Sequence, residues 1–280
     1  VLRETIKSWT PMPLIQARRK VLAWLRPQFP LVIWPFPKSP DGAALIYDVG
    51  LCDGSDTAFY LAKGYRVVAV EANPALVESA KERFARHIEA GWLTIVETAI
   101  GAATGRVAFD VHLSNPHWSS IVPDRRERMN GELRTIEVDC TTLDRVLREH
   151  GIPYYLKIDI EETDLDAIKS LKSLPALPPY LSAEAHSREI LETLFELGYR
   201  RFQIVDQREK NELRLWPWSW REGRYVWTRF SDRDSGTFGR EVPGRWLTID
   251  EVLANFDAIR STVPPLFRGD PTWHDFHAAL

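Results

Sequence analysis

The sequence predicts an α/β fold with a mostly parallel, doubly wound sheet. Three observations carry this. First, Leu45 to Pro74 (LIYDVGLCDGSDTAFYLAKGYRVVAVEANP) reads as strand, glycine turn, helix, strand and acidic tip. Second, short apolar runs alternate with helical patterns along the middle of the chain, as in a sheet built from βαβ units. Third, several of those runs end in acids, where ligands of a doubly wound sheet bind beyond the carboxyl ends of the strands.

Each part of the opening unit has a physical reason. Leu45, Ile46, Tyr47 and Val49 suit a strand buried on both faces. Gly50 and Gly54 bracket a tight loop in which positive φ and close backbone approach are tolerated. Thr57 to Lys63 reads as a helix that Gly64 ends, and Arg66 to Val70 as a β-branched strand. Glu71 stands at its tip, placed to accept both hydroxyls of a ribose. The loop spacing is G-x-x-x-G, not the dinucleotide G-x-G-x-x-G. Asp53 and Asp56 flank the turn, and carboxylates are poor neighbours for a pyrophosphate. They suit a ligand with an ammonium or sulfonium charge, and S-adenosylmethionine has both, with a ribose for Glu71. Asp48, Gly50, Asp53, Gly54 and Thr57 are therefore candidates to lie under its methionine part.

The remaining elements follow in order. Asn73-Pro74 starts an amphipathic helix over Ala75 to His87, and Asn73 joins the cofactor-binding candidates. Leu93 to Ala99 reads as a third strand whose end, at Thr98, Ala99 and Ile100, lies against an adenine by sheet order. GRVAFDVH and ELRTIEVDC alternate and form an added hairpin within residues 105–140. Between them, His117, Trp118, Ser119 and Ser120 are candidates for a substrate lid, or for a loop capping a hydrophobic edge. Thr141 to His150 is a short helix capped by Thr141 or Thr142. Tyr154 to Ile160 is the fourth main strand, with Asp159 and Glu161 pointing to one side by the two-residue period. A helix through Leu165, Ile168 and Leu171 follows, then a fifth strand, Tyr180 to Glu184, with His186 beyond it. Arg188 to Leu197 is helical. Arg200 to Val205 and Arg224 to Phe230 complete seven strands.

The flanks are less regular. Residues 1–40 read as an N-terminal arm, with a helix over Pro13 to Leu25 and a proline-rich strap. That helix suits packing or a homo-oligomer contact, or a membrane surface through Arg18, Arg19, Lys20 and Arg26. Trp216, Trp218 and Trp220 share one face if extended, as a cover or dimer contact, or as a wall for a sugar-containing acceptor. Residues 231–280 read as a C-terminal extension packing on the domain at 41–230, with His274 and His277 on the surface.

Composition narrows the function. The chain has 280 residues, 44% hydrophobic and 27% charged, as expected of a globular protein. A formal net charge of −3 gives no reason to expect nucleic acid as a partner. Two cysteines, Cys52 and Cys140, argue against a disulfide framework and for a reducing, cytoplasmic setting. No apolar run approaches the ~20 residues of a transmembrane span. The G-x-S-x-G elbow, the P-loop and C-x-x-C are all lacking.

The glycine turn and YLKIDIE at Tyr155 to Glu161 together resemble the FkbM family of class I methyltransferases, from about Leu45 to about Glu184. The resemblance implies a Rossmann-like class I methyltransferase fold, S-adenosylmethionine as cofactor, and a serine pair, Ser119 and Ser120, near the site. Leu51-Cys52 departs from the Ala-Asn often found in that loop, and Glu162 from the glycine usual after the strand-four acid. The expected activity is methyl transfer to an oxygen of a small molecule or sugar. Asp159, Glu184 and His186 are the candidates for acceptor binding and proton removal. No metal is expected: Asp159, Glu161 and Glu184 would suit Mg²⁺ if they cluster, but are read as solvated strand-end carboxylates. A nicotinamide-dependent oxidoreductase and a non-catalytic cofactor-binding module remain as other classes; the missing third glycine counts against the first.

Overall fold

The computed structural model describes residues 42–113, 119–122, 132–161, 163–208, 221–228, 230–231, 234–262 and 273–280. The N-terminal arm, His117, Trp118, Glu162 and the tryptophans at 216, 218 and 220 lie outside the described residues. In chain order the elements are β1 (Leu45–Val49), α1 (Ser55–Ala62), β2 (Arg66–Glu71), α2 (Pro74–Arg83), α3 (Ala85–Glu89), β3 (Leu93–Glu97) and β4 (Ala99–Ile100). Then come β5 (Gly105–His112), β6 (Leu133–Thr141), α4 (Leu143–His150), β7 (Tyr155–Ile158), α5 (Asp164–Ser170) and β8 (Tyr180–Glu184). The last are α6 (Arg188–Leu197), β9 (Arg201–Asp206), α7 (Ile249–Ser261) and β10 (His274–Ala279).

The main sheet has seven strands in the order β3-β2-β1-β7-β8-β10-β9. Its first five strands are parallel, and β10 is antiparallel to both β8 and β9. This is the Rossmann-like, doubly wound α/β architecture. The chain winds outward from β1 to β3 on one side and from β7 onward on the other. The order therefore reverses between β1 and β7, and the crevice beyond their carboxyl ends is the topological switch point where such sheets bind ligands.

Strand periodicity divides the core between two layers. Tyr47, Val49, Val68, Val70, Leu156 and Ile158 face one side, where α4, α5, α6 and α7 pack through Leu143, Ile168, Leu191 and Val252. Ile46, Val67, Ala69 and Tyr155 face the other, packed with Phe59 and Tyr60 of α1 and Ala80 of α2. That second layer is completed by irregular chain rather than helix. Phe230 meets Phe59 edge-on with centroids 5.1 Å apart, and Phe238 stacks on Tyr155 at 4.9 Å. Such pairs contribute about 0.5–1.5 kcal/mol each beyond burial. The expected hairpin is present as β5 and β6, which with β4 form a separate three-stranded sheet.

Two expectations are corrected. The described residues of Arg224–Phe230 form no strand, because Val226 and Phe230 are buried against the α1 layer instead of alternating in the sheet. The seventh strand comes from the tail, as β10. His274 and His277, expected on the surface, are consequently buried. The run HDFHAA looks half polar, but both edges of β10 are paired and both its faces are covered. The helix α7, unassigned in the sequence, is marked by a capping box between Thr248 and Glu251.

Neither Cys52 nor Cys140 is in a disulfide. Among the described residues, no helix is long and apolar enough to cross a membrane.

Burial pushes the His277 ring down from its ordinary 6.5 to about 4. Its folded state thus holds fewer protons than the unfolded chain between those values. The stability that His277 contributes is complete above pH 6.5 and declines as pH falls towards 4. Urea denaturation from pH 7.5 to 4 should show the wild type losing on the order of 3 kcal/mol relative to His277→Gln. Parallel loss in both proteins would refute the buried neutral ring.

Candidate active site

The carboxyl end of β1 lies hard against the residue that follows β7. Asp159 N–H donates to the Val49 carbonyl at 2.9 Å. A Cβ at Gly50 would stand 1.9 Å from the Asp159 carbonyl oxygen, and Gly50 has φ +94°. Only glycine accommodates both conditions, so this residue lets the two strand ends meet. The N–H groups of Gly50 and Leu51 both donate to the Val70 carbonyl, which ties the loop to β2.

Beneath the loop lies a buried ion cluster. Lys157, the one charged residue of β7, is 4% exposed. Its Nζ is 3.1 Å from Asp48 Oδ1, 3.3 Å from Asp56 Oδ2 and 3.3 Å from Asp159 Oδ2, and it donates to the Gly50 carbonyl at 3.3 Å. The Thr57 hydroxyl donates to Asp48 Oδ2 at 2.7 Å. Asp56 accepts from both the N–H and hydroxyl of Ser235, each at 2.8 Å. Burial, and then repulsion from Asp56, push the Asp48 carboxyl up, while Lys157 pulls it down. Asp48 and Thr57, two of the expected cofactor residues, therefore lie fully buried under the turn. Asp56, read as flanking it towards a ligand, is turned inward by Lys157 and Ser235. The lysine was not singled out in the sequence, although a single charge in the otherwise apolar YLKI was its signal.

Above the cluster, the loop is organised by Glu71. Its Oε2 accepts from Cys52 N–H at 2.9 Å and its Oε1 from Asn73 N–H at 2.8 Å. Cys52 is held at φ +48°, a left-handed conformation uncommon outside glycine and asparagine, and the bond to Glu71 helps to hold it. Burial pushes Glu71 upward, and its backbone donors oppose that. Gly54, at φ +77°, is the N-cap of α1, and a Cβ there would meet the Phe84 ring at 2.7 Å. Asp53 Oδ1 accepts from Ser55 N–H at 2.9 Å, and Asn73 Oδ1 caps α2 through Ala75 N–H. Thr98 N–H donates to the Glu71 carbonyl at 3.0 Å, which brings Ala99, buried against the small sheet, next to the β2 tip.

A second group of acids gathers across the crevice. Asp159, Glu161 and Glu184 each place a carboxylate oxygen within 4.8 Å of the others, and so do the ligand atoms of Asp164, Glu184 and His186. His186 Nε2 is 2.7 Å from Glu184 Oε2 and 4.0 Å from Asp164 Oδ2. Burial works against a charged ring, but Glu184, with Asp164 and Glu161 behind it, raises His186 to about 10. At neutral pH the ring is an imidazolium and not a free base. Glu161 has φ +58°, and its carbonyl accepts from the Ser120 hydroxyl at 2.9 Å. Ser119 Oγ accepts from His112 N–H at 3.1 Å. The serine pair thus fastens the hairpin to the turn after β7. Asp164 was not among the sequence candidates, though it is fully buried in this group.

Removing Lys157 leaves buried carboxylates without their cation. Lys157→Met should lose about 3–5 kcal/mol in urea denaturation, and adding Asp48→Asn should restore part of it. Equal stability of wild type and Lys157→Met would contradict the buried cluster.

A family model described as the methyltransferase FkbM domain matches residues 48–201. No match is found among curated proteins. Among solved structures, the chain is similar to a methyltransferase FkbM from Methylobacillus flagellatus KT, at 19% identity and TM-score 0.38, covering 61% of this chain and 40% of that one. It is also similar to a SAM-dependent O-methyltransferase from Thermotoga maritima, at 13% identity and TM-score 0.38, over 85% of this chain and 59% of that one. A SAM-dependent methyltransferase from Archaeoglobus fulgidus aligns over 96% and 95%, at 12% identity and TM-score 0.37. The chain thus spans less than half of the FkbM structure it matches, and these scores are too low to add to the argument. The family model covers more than half of the chain and takes in the glycine turn, Glu71 and the acids after β7, and on that match the chain belongs to the FkbM methyltransferase family.

Proposed function

We propose that this chain binds S-adenosylmethionine at the β1–β2 crevice and transfers its methyl group to an oxygen of a small molecule or sugar. The observation that carries the reading is Glu71, a buried carboxylate pinned to the loop at Cys52 and to Asn73. A carboxylate has about four acceptor sites, so capacity remains for a ribose diol after two N–H groups are bound. Asp53 and Asp159 add negative charge near the turn, which suits an ammonium and a sulfonium.

The same geometry disfavours a pyrophosphate. The Ser55 N–H at the start of α1 is one that a phosphate oxygen would take, and Asp53 Oδ1 already holds it. A dinucleotide would meet the Asp53 carboxylate where it needs a donor.

When bound, the cofactor supplies a methyl group already activated on sulfur. The chain's own task is alignment, proton removal and exclusion of water, with alignment contributing on the order of 7–11 kcal/mol in favourable systems. Glu71 orients the sugar, and the turn at Gly50 lets the backbone approach the methionine part. Asp48, Thr57 and Lys157 hold that turn from below. An acceptor hydroxyl donates to a carboxylate at the ends of β7 and β8, Asp159 or Glu184. His186, as an imidazolium, positions Glu184 and does not take the proton itself. Ala99 lines the adenine side. Ser119 and Ser120 flank the acceptor.

Calorimetry should detect S-adenosylhomocysteine binding and no binding of NAD. Glu71→Gln should weaken S-adenosylhomocysteine by about ten- to a hundredfold, the range of a hydrogen bond to a charged group. A 2′-deoxy analogue should lose less affinity in the variant than in the wild type. Binding of NAD alone, or unchanged affinity in Glu71→Gln, would overturn the reading.

A further inference from the structure

We propose that the carboxyl ends of β7 and β8 form a site for one divalent cation of the magnesium–manganese class. Asp164 and Glu184 are its ligands, His186 joins them once the ion displaces its ring proton to solvent, and Glu161 and Asp159 add carboxylate oxygens beside Glu184. The proposal goes beyond the cofactor reading and does not depend on it.

The argument begins with Asp164. Its side chain is fully buried, and neither of its oxygens has a hydrogen-bond partner among the described residues. A buried carboxylate is normally paired or hydrogen-bonded, because its hydration is otherwise lost without replacement. Asp164 opens α5, where an acid usually accepts from the first N–H groups of the helix. Here neither oxygen meets one at hydrogen-bonding geometry, although its own N–H is near enough to favour the charged carboxylate. The nearby imidazole does not fill the gap either: at 4.0 Å it is beyond hydrogen-bond reach of Asp164, and it is engaged with Glu184 at 2.7 Å. Lys157 is committed to Asp48, Asp56 and Asp159 on the other side.

The surroundings fit a cation. Two triads of ligand atoms, each within 4.8 Å of one another, share Glu184. Ligands of one ion are spaced on this scale when metal–oxygen distances are about 2.0–2.6 Å. The donors are four carboxylates and one imidazole, with no thiolate among them. Such an oxygen-rich set suits Mg²⁺ or Mn²⁺ over softer ions, and the imidazole favours Mn²⁺. Side-chain exposure rises from 1% at Asp164 through 16% at Glu184 and 28% at His186 to 39% at Asp159. An ion therefore has a carboxylate-lined way in from solvent. Asp159 already faces Lys157, so it serves as the outermost and weakest ligand.

The test titrates Mn²⁺ into the full chain, free of any cofactor, and follows free Mn²⁺ by electron paramagnetic resonance. One saturable site per chain is expected. Asp164→Asn and Glu184→Gln should each weaken it by at least about tenfold, and Asp159→Asn by less. Circular dichroism checks that each variant is folded; if Asp164→Asn is not, Glu184→Gln decides. Absence of saturable binding up to millimolar Mn²⁺, or equal affinity in the wild type and the folded variants, would overturn the site. S-adenosylhomocysteine binding measured in EDTA separates the two claims. Its retention in a protein that ignores Mn²⁺ defeats the cation site alone.

Discussion

A single buried ammonium holds the switch point together. Lys157 lies between Asp48 of β1, Asp56 of α1 and Asp159 beyond β7, so three elements converge on one charge. Each of those carboxylates would be costly in the interior alone, and the lysine would be as well. Together they fix the distance between β1 and β7 at the level where Gly50 passes the Asp159 carbonyl. The packing of the strand ends leaves no room for a Cβ there. The loop above inherits its position from this contact. The Ser235 segment is drawn in by the same cluster through Asp56.

Glu71 extends that order upward. Its two oxygens join the turn at Cys52 to the start of α2, while its carbonyl receives Thr98 from the end of β3. Three consecutive strand ends are thereby linked through one residue. The acids around the turn consequently divide into two kinds. Asp48 and Asp56 are consumed by internal partners and shape the turn. Asp159 keeps part of its surface exposed, and Glu71 keeps acceptor capacity in reserve. The likeness in composition between these acids hides a difference in task that only their partners reveal.

The two sides of the crevice are balanced differently. On the β1 side, carboxylates are matched by a lysine, hydroxyls and backbone N–H groups. On the β8 side, Asp159 shares Lys157, Glu184 pairs with His186, and the oxygens of Asp164 have no hydrogen-bond partner among the described residues. A buried carboxylate without such a partner, beside other acids, is disposed towards a ligand there. The serine that fastens the small sheet to the Glu161 carbonyl holds this side of the crevice in place.

Much of the architecture was legible in the sequence. The β1–α1–β2 unit, the added hairpin, the fifth strand at Tyr180–Glu184 and the helix at Arg188–Leu197 all follow from local periodicity and glycine placement, which depend on neighbours a few residues away. Asp159, Glu161 and Glu184 could be placed at strand ends, but whether they cluster was left open and is decided by the structure. The seventh strand did not follow from the sequence. HDFHAA has no apolar alternation, and it is buried only because β8 and β9 close on both its edges. Nor did the roles of Asp56, Lys157 and Asp164. Sequence determines that these side chains are charged and where along a strand or helix they fall; whether a charge meets a partner, or is left without one, is decided by distances between elements far apart in the chain.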